Sequence, residues 1–218
     1  MSSWHTSRRW GRRPPEGAEA PAGPFDFCRR RGYHHGNLKE ALVEAARQLT
    51  AERGPFGFTL AEAARLAGVS PSAPYRHFRD RDALMGELCR QGFARFAARL
   101  AEAAAAGEVR EALMAMGRAY LAFAREEPGY YGAMFSWRDP SAPARAEPDD
   151  SAFGALVGAI ARVLPEGSDR NKVRLLALEV WALSHGLAGL ERAGMPPPAS
   201  GAPPHEAVLT DAVGRLLR

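Results

Sequence analysis

From Asn37 onward, apolar positions recur three and four residues apart, the period of a helix with one buried face. Leu38, Leu42, Ala45 and Leu49 carry the first run, with Asn37 and Glu40 as a capping pair ahead of it. Gly54 and Pro55 end that helix near Arg53. Thr59 and Glu62 make a second capping pair and open a short helix, Leu60 to Leu66, closed by Gly68. Ser70 predicts the cap of a third helix, with Pro71 at its first position, where a missing N–H costs nothing. Asp80 predicts the cap of a fourth, running to about Ala106 before Gly107. Five more helices follow: Glu108 to Glu126, stopped by Pro128 and Gly129; a short aromatic one, Tyr130 to Trp137; Ser151 to Leu164; Asp169 to Arg192; and His205 to Leu217. Pro140, Pro143 and Pro148 mark residues 138–150 as a loop, and Gly194 to Pro204 is a Pro-rich connector. No segment alternates Val, Ile or Thr in the manner of a strand, so the expected fold class is all-α, with about nine helices.

Composition narrows the picture. At 218 residues, 46% hydrophobic and 25% charged, the chain is long enough to bury a core without disulfides or a structural metal. No continuous run of apolar residues reaches membrane-spanning length, which predicts no membrane partner. Met1 to Arg13 lacks the apolar centre of a signal peptide. Cys28 and Cys89 are too few for a disulfide framework or a four-thiolate zinc site, so a reduced, cytoplasmic protein is expected. Lys39 and Lys172 are the two lysines; all other basic side chains are arginine. The net charge of +4 sits in residues 1–35, where seven arginines face Glu16, Glu19 and Asp26. That Pro- and Gly-rich stretch predicts a disordered basic tail. It is either a solvated arm or an arm that touches phosphate or the minor groove.

The informative stretch is TLAEAARLAGVSPSAPYRHF, residues 59–78: short helix, Gly-containing turn, short helix. That is the plan of a helix-turn-helix, whose second helix enters the DNA major groove. Leu60, Ala64, Val69 and Phe78 can face a small core, leaving Ser70, Ser72, Ala73, Tyr75, Arg76 and His77 to project from the second helix. Thr59 and Arg81 stand at helix starts, where free amides and an added charge can hold a phosphate. His35, beside His34, is a DNA-edge or helix-cap candidate, or has no role; no Cys or carboxylate lies at metal-ligand spacing, so no metal or cofactor is expected. The bland alternative is a helical hairpin in an unrelated bundle.

In these residues the chain resembles the tetracycline-repressor (TetR) family of bacterial transcriptional regulators. The resemblance rests on NLKEALVEAARQLTAERG and FTLAEAARLAGVSPSAPYRHFRDRDAL, from Asn37 to about Leu88. It implies a cytoplasmic homodimer bound to a double-stranded DNA operator, with a helical C-terminal effector and dimer domain and repression relieved by a small ligand. Members usually carry Lys near the start of the fourth helix, where Arg81 stands here, and Pro74 is unusual within the recognition helix. Trp181, His185 and Gly186, with YHHGNL at residues 33–38, resemble a subtype whose C-terminal domain bears a Trp-His-Gly signature. The expected organisation is a tail over 1–35, a three-helix DNA-binding domain over 36–95 and a larger ligand-binding and dimerisation domain over 96–218.

In that C-terminal part, Val173, Leu176, Val180, Leu183, Leu187 and Leu190 are spaced as a heptad-like seam. With Val213 and Leu217 of the last helix they are the dimer-interface candidates. Gly186 and Gly189 on the same helix cost about 1 kcal/mol each relative to Ala, for which close approach of a partner helix would compensate. Phe123, Tyr130, Tyr131, Met134, Phe135 and Trp137 are either an effector-pocket wall or plain core. Trp181 and His185, four apart, share a face as either a buried satisfied pair or a pocket handle. The effector candidates are Met114, Phe123, Tyr130, Met134, Phe135, Trp137, Trp181 and His185. No nucleophile–base pair, phosphate loop or HExxH site appears, which argues against an enzyme. The remaining alternative is a helix-turn-helix DNA binder, architectural or non-specific, without effector control.

Overall fold

The computed structural model describes residues 38–105, 107–138, 152–196 and 201–217. The predicted tail, His35 and the Asn37 cap lie outside the described residues, as does most of the 138–150 loop. Eight α-helices and one 3-10 turn occur among the described residues, and no strand. They are α1 (Leu38–Arg53), α2 (Leu60–Leu66), the 3-10 turn (Ala73–Arg76), α3 (Arg81–Ala104), α4 (Val109–Glu126), α5 (Pro128–Phe135), α6 (Ala152–Val163), α7 (Arg170–Arg192) and α8 (His205–Leu216).

The local signals act where they were expected. Thr59 caps α2 in a reciprocal box: the Glu62 amide donates to the Thr59 hydroxyl at 3.2 Å, and the Thr59 amide donates to the Glu62 carboxylate at 2.8 Å. Gly68 takes φ +74°, a left-handed conformation that lets the chain leave α2 sharply. Asp80 caps α3 by accepting from the Ala83 amide at 2.7 Å. Leu42, Ala46 and Leu49 of α1 then bury against Leu60, Ala63, Phe78, Leu84 and Leu88.

The third helix departs from expectation. Ser70 caps nothing; its hydroxyl lies 3.2 Å from that of Ser72, and the helical part shrinks to the four residues of the 3-10 turn. Pro74 explains this, because a proline has no N–H to continue an α-helical ladder. Its ring is fully buried, and its carbonyl accepts from the amides of His77 and Phe78, both at 2.9 Å. The segment is a proline-anchored turn, not a helix.

Residues His35–Arg218 form one compact unit, and the expected boundary at 95/96 falls inside α3. Phe96 and Leu100 are as buried there as Leu84 and Leu88. The α5 helix begins at Pro128, not Tyr130, because proline is tolerated in a first helical turn. This helix lies against α1 and α3. A Cβ on Gly129 would land on the Arg47 carbonyl oxygen, so this glycine permits close backbone approach, while one on Gly92 would lie 2.9 Å from the Met134 sulfur, so that glycine makes room for the Met134 side chain. The longest apolar helix, α7, has the length and composition to cross a bilayer, but its Val173, Leu176, Val180 and Leu187 are buried within the bundle.

Candidate nucleic-acid interface and interior aromatic cluster

The 3-10 turn presents its polar side chains outward. Tyr75 is 63% exposed, and Arg76, His77, Ser70 and Ser72 are exposed beside it, with Ala73 half-buried. Pro74 and Phe78 hold the turn to the core from beneath. Arg65 and Arg76 make no ion pair among the described residues, so both charges remain available to phosphate. Arg79, which sequence reasoning passed over, is exposed just after the turn and pairs with Asp80 at 2.9 Å.

Two expected phosphate ligands are differently employed. Arg81 points inward: its Nε donates to the Phe58 carbonyl at 3.1 Å and its Nη1 to Asp82 at 2.8 Å. Its guanidinium also lies 5.2 Å from the Phe58 ring and 5.7 Å from that of Phe56. It clamps the start of α3 to the α1–α2 turn. The Thr59 hydroxyl both accepts from the Glu62 amide and lies 3.0 Å from the Glu62 carboxylate, so it is spent on the cap. Hydrogen bonds from Thr59 hold the Glu62 carboxyl below its usual range, with Arg53 at 3.0 Å adding to the effect.

In the C-terminal half, the aromatic side chains divide into two groups. Phe123, Tyr130, Met134 and Trp137 are buried core, and Met114 is half-buried at its edge. Tyr130 packs toward α1 and α3, with the Arg95 and Arg47 guanidinium groups 5.1 and 6.0 Å from its ring. Phe135, Trp181 and His185 belong to a second group with Tyr120 and Tyr131. There the Tyr120 and Tyr131 hydroxyls lie 3.0 and 2.9 Å from His185 Nδ1. Burial lowers the His185 pKa, favouring neutral imidazole, and raises those of both tyrosines, keeping the phenols protonated. A cavity of about 10 Å³ adjoins Tyr120 and Trp181, room for about one water. Tyr120 and Ser184 at that cavity were not anticipated. Nothing local in the sequence marks them, since the histidine is 65 residues from Tyr120.

The dimer-interface candidates are also redistributed. Val173, Leu176, Val180, Leu187 and Val213 are buried within this chain, and Leu183 and Leu217 are half-buried against the same core. Only Leu190 of that set is exposed. The apolar face α7 turns outward carries Leu175 and Leu178, 57% and 56% exposed, with Ala182, Gly186, Gly189 and Leu190. A Cβ on Gly186 or Gly189 would meet nothing within 4 Å.

Two sequence models match the chain. One, bacterial regulatory proteins of the tetR family, matches residues 42–88; the other, a tetracyclin repressor-like C-terminal domain, matches residues 113–216. An HTH-type transcriptional regulator of Bacillus subtilis (strain 168), YobS, is 29% identical over 98 residues, 45% of this chain and 51% of that protein. The chain thus matches about half the length of that curated relative. Among solved structures, a protein from Rhodococcus sp. RHA1 is similar at 31% identity and TM-score 0.69, over 85% of this chain and 96% of that one. A TetR-family transcriptional regulator from Streptomyces coelicolor shares the fold at TM-score 0.60 and 20% identity, over 82% of this chain and 96% of that one. With the helix-turn-helix matched at one end and the larger helical domain at the other, this chain belongs to the TetR family of bacterial transcriptional regulators.

Proposed function

We propose that this regulator is a repressor that binds a near-palindromic operator as a homodimer and leaves it when a small-molecule effector occupies the C-terminal domain. The observation that carries the DNA half is the exposed Tyr75–Arg76–His77 row on a turn anchored by buried Pro74. Such a short, rigid turn can enter the major groove at its tip, with Tyr75 and Arg76 reaching phosphates on either side. Two copies related by a two-fold axis would place two such turns about 34–36 Å apart, one turn of DNA.

The outward face of α7 supports self-association. Leu175, Leu178 and Leu190 are exposed apolar side chains beside two glycines with open space before them. A second copy of α7 laid against this stripe would bury the leucines and bring backbones close at Gly186 and Gly189. The effector would act by binding one arrangement of the two DNA-reading turns better than the other, with a coupling of about 1–3 kcal/mol. The cytoplasm, where the DNA partner resides, is the matching location.

Selection of bound DNA from a random pool tests this reading, with sedimentation of the free and DNA-bound protein alongside. The expected result is an inverted repeat bound by two chains. A single asymmetric half-site bound by one chain would overturn it. The second reading, a helix-turn-helix binder without effector control, draws on the arginine-rich residues 1–35. Comparing the selected operator with random DNA at one salt concentration separates the two, since a non-specific binder gains little from the operator.

A further inference from the structure

Thr50 stands where three helices meet. It lies on α1, it is 3% exposed, and its two branches face different neighbours. The hydroxyl donates to the Met85 sulfur of α3 at 3.8 Å. The methyl faces Gly132 of α5, where a Cβ would lie 3.2 Å from it. Turning the side chain to relieve such a contact would take the hydroxyl off the sulfur. Just before it on α1, Gly129 of α5 lies so close to Arg47 that a Cβ would reach the carbonyl oxygen. Glu127, the residue ahead of α5, pairs with Arg47 Nη1 at 3.6 Å. Gly129 and Gly132, three apart, thus give α5 a glycine-lined face against α1. Another face carries Tyr131 and Phe135, which meet Tyr120 of α4 and His185 of α7.

The packing of α1 shows why this contact matters. It packs on α2, the 3-10 turn, α3 and α5. The first two belong to the DNA-binding end, and α3 runs through both halves of the chain. Through α5, therefore, the C-terminal bundle holds α1 against rotation about α3. The contacts at Arg47 and Thr50 are about 4.5 Å apart along the α1 axis. With the Arg47 contact fixed, a push of about 0.3 Å at Thr50 tilts α1 by about 4° and moves its Leu38 end by about 1 Å. The reading turn moves with α1, because Leu42 and Leu49 share a core with Phe78 at the end of that turn. Applied to both copies of a two-fold pair, such a tilt changes the separation of the two turns and leaves each reading surface intact.

From this geometry we infer that Thr50 is a positioning residue for DNA binding: wedged between Gly132 and Met85, it sets the tilt of the reading turn on the C-terminal bundle and so the half-site spacing that the protein accepts. It acts through α1, since its own side chain is buried. The spacing part rests on the two-fold operator reading above.

The test is an anisotropy titration of the full chain with four labelled duplexes: the selected inverted repeat, one half-site alone, and the repeat with one base pair added to or removed from its spacer. Gly132→Ala pushes on the Thr50 methyl, while alanine's helical preference offsets the tighter packing, so the thermal melt should stay near wild type. The expected result is an affinity for the inverted repeat about tenfold lower, the size of one lost base contact, with half-site affinity unchanged. Adding Thr50→Ser, which removes the methyl and keeps the hydroxyl, should restore most of the loss. Thr50→Ser alone opens the contact and should flatten the preference among the three spacers, which decides the matter if Gly132→Ala does not fold. Unchanged affinity of Gly132→Ala for the repeat overturns the inference, as does an equal loss on the half-site, a loss that Thr50→Ser does not repair, or a spacer preference that Thr50→Ser leaves intact. A wild type with no preference for the repeat over the half-site rejects the two-fold operator reading itself, whereas a wild-type preference with insensitive variants rejects only the role of Thr50.

Discussion

The Arg81 guanidinium reaches across 23 residues of sequence to the Phe58 carbonyl, 3.1 Å away, and thereby fixes the start of α3 to the end of the α1–α2 turn. Its side chain is 21% exposed and flanked by two phenylalanine rings. Truncating it leaves a carbonyl without its donor and two rings without their cation. Arg81→Ala should therefore cost about 1–3 kcal/mol of stability in urea unfolding, whether or not DNA is present. Arg81→Lys keeps the charge but loses the flat stack, and should recover only part of that loss.

Tyr75 behaves in the opposite way because it is 63% exposed. Tyr75→Ala should leave the unfolding midpoint within about 0.5 kcal/mol of wild type. Operator affinity should fall across all sequences tested, with little change in sequence preference, as expected for a phosphate contact. An anisotropy titration that found unchanged affinity would remove Tyr75 from the interface.

Glu87 ties α3 to α1 through Lys39 at 3.4 Å and pairs within α3 with Arg90 at 2.7 Å. The Arg90 hydrogen bonds, helped by Gln91 and Lys39 against the effect of burial, bring its pKa from 4.5 down to about 2. The folded state thus prefers the carboxylate more than the unfolded chain does. The resulting stability is present above about pH 4.5 and drains away as pH falls toward 2. Glu87→Gln should accordingly be destabilised relative to wild type at neutral pH, with the gap narrowing through that window. Parallel urea titrations of the two proteins across the acid range measure it.

The parts legible in the sequence are those whose cause is local. Thr59 with Glu62, and Asp80 with Ala83, are cap pairs three residues apart, so their hydrogen bonds are written into adjacent sequence. Ser70 and Pro71 carry the same kind of signal, but Pro74 overrides it from within the next turn. The tyrosine–histidine cluster joins residues 54 and 65 apart, and no local pattern encodes which of several aromatics will meet. The α7 seam shows a further limit: heptad spacing fixes which residues share a face, not what covers it. Val173, Leu176, Val180 and Leu187 are covered by this chain's own helices, while the neighbouring Leu175 and Leu178 are left outside.

Gly129 shows how tightly α5 is set against α1. A Cβ there would collide with the Arg47 carbonyl oxygen, which belongs to a helical backbone and cannot rotate aside. Gly129→Ala should therefore force the helices apart, at about 1–3 kcal/mol of stability. Gly186→Ala, by contrast, meets open space within the chain. It should raise the monomer's helix stability by up to about 1 kcal/mol, the helical preference for Ala over Gly. Unfolding of the two variants at concentrations dilute enough for monomer should shift in opposite directions.

The same face of α7 gives the sharpest test of self-association. Leu178 is 56% exposed, whereas Val180, two residues on, is 2% exposed. A charge at 178 therefore stays solvated in the monomer, while across a two-fold contact it would meet its own copy or the partner's leucines without a counter-charge. Leu178→Arg should leave the unfolding midpoint of dilute protein nearly unchanged and shift the sedimenting species from dimer to monomer. Operator binding should weaken with it, because each half-site would then be held by one turn without the partner's contribution. The monomeric variant should still retain non-specific, salt-sensitive DNA binding, since Tyr75, Arg76 and Arg65 are untouched. A variant that remained dimeric would place the interface elsewhere on the bundle and leave the outward leucines as ordinary exposed residues.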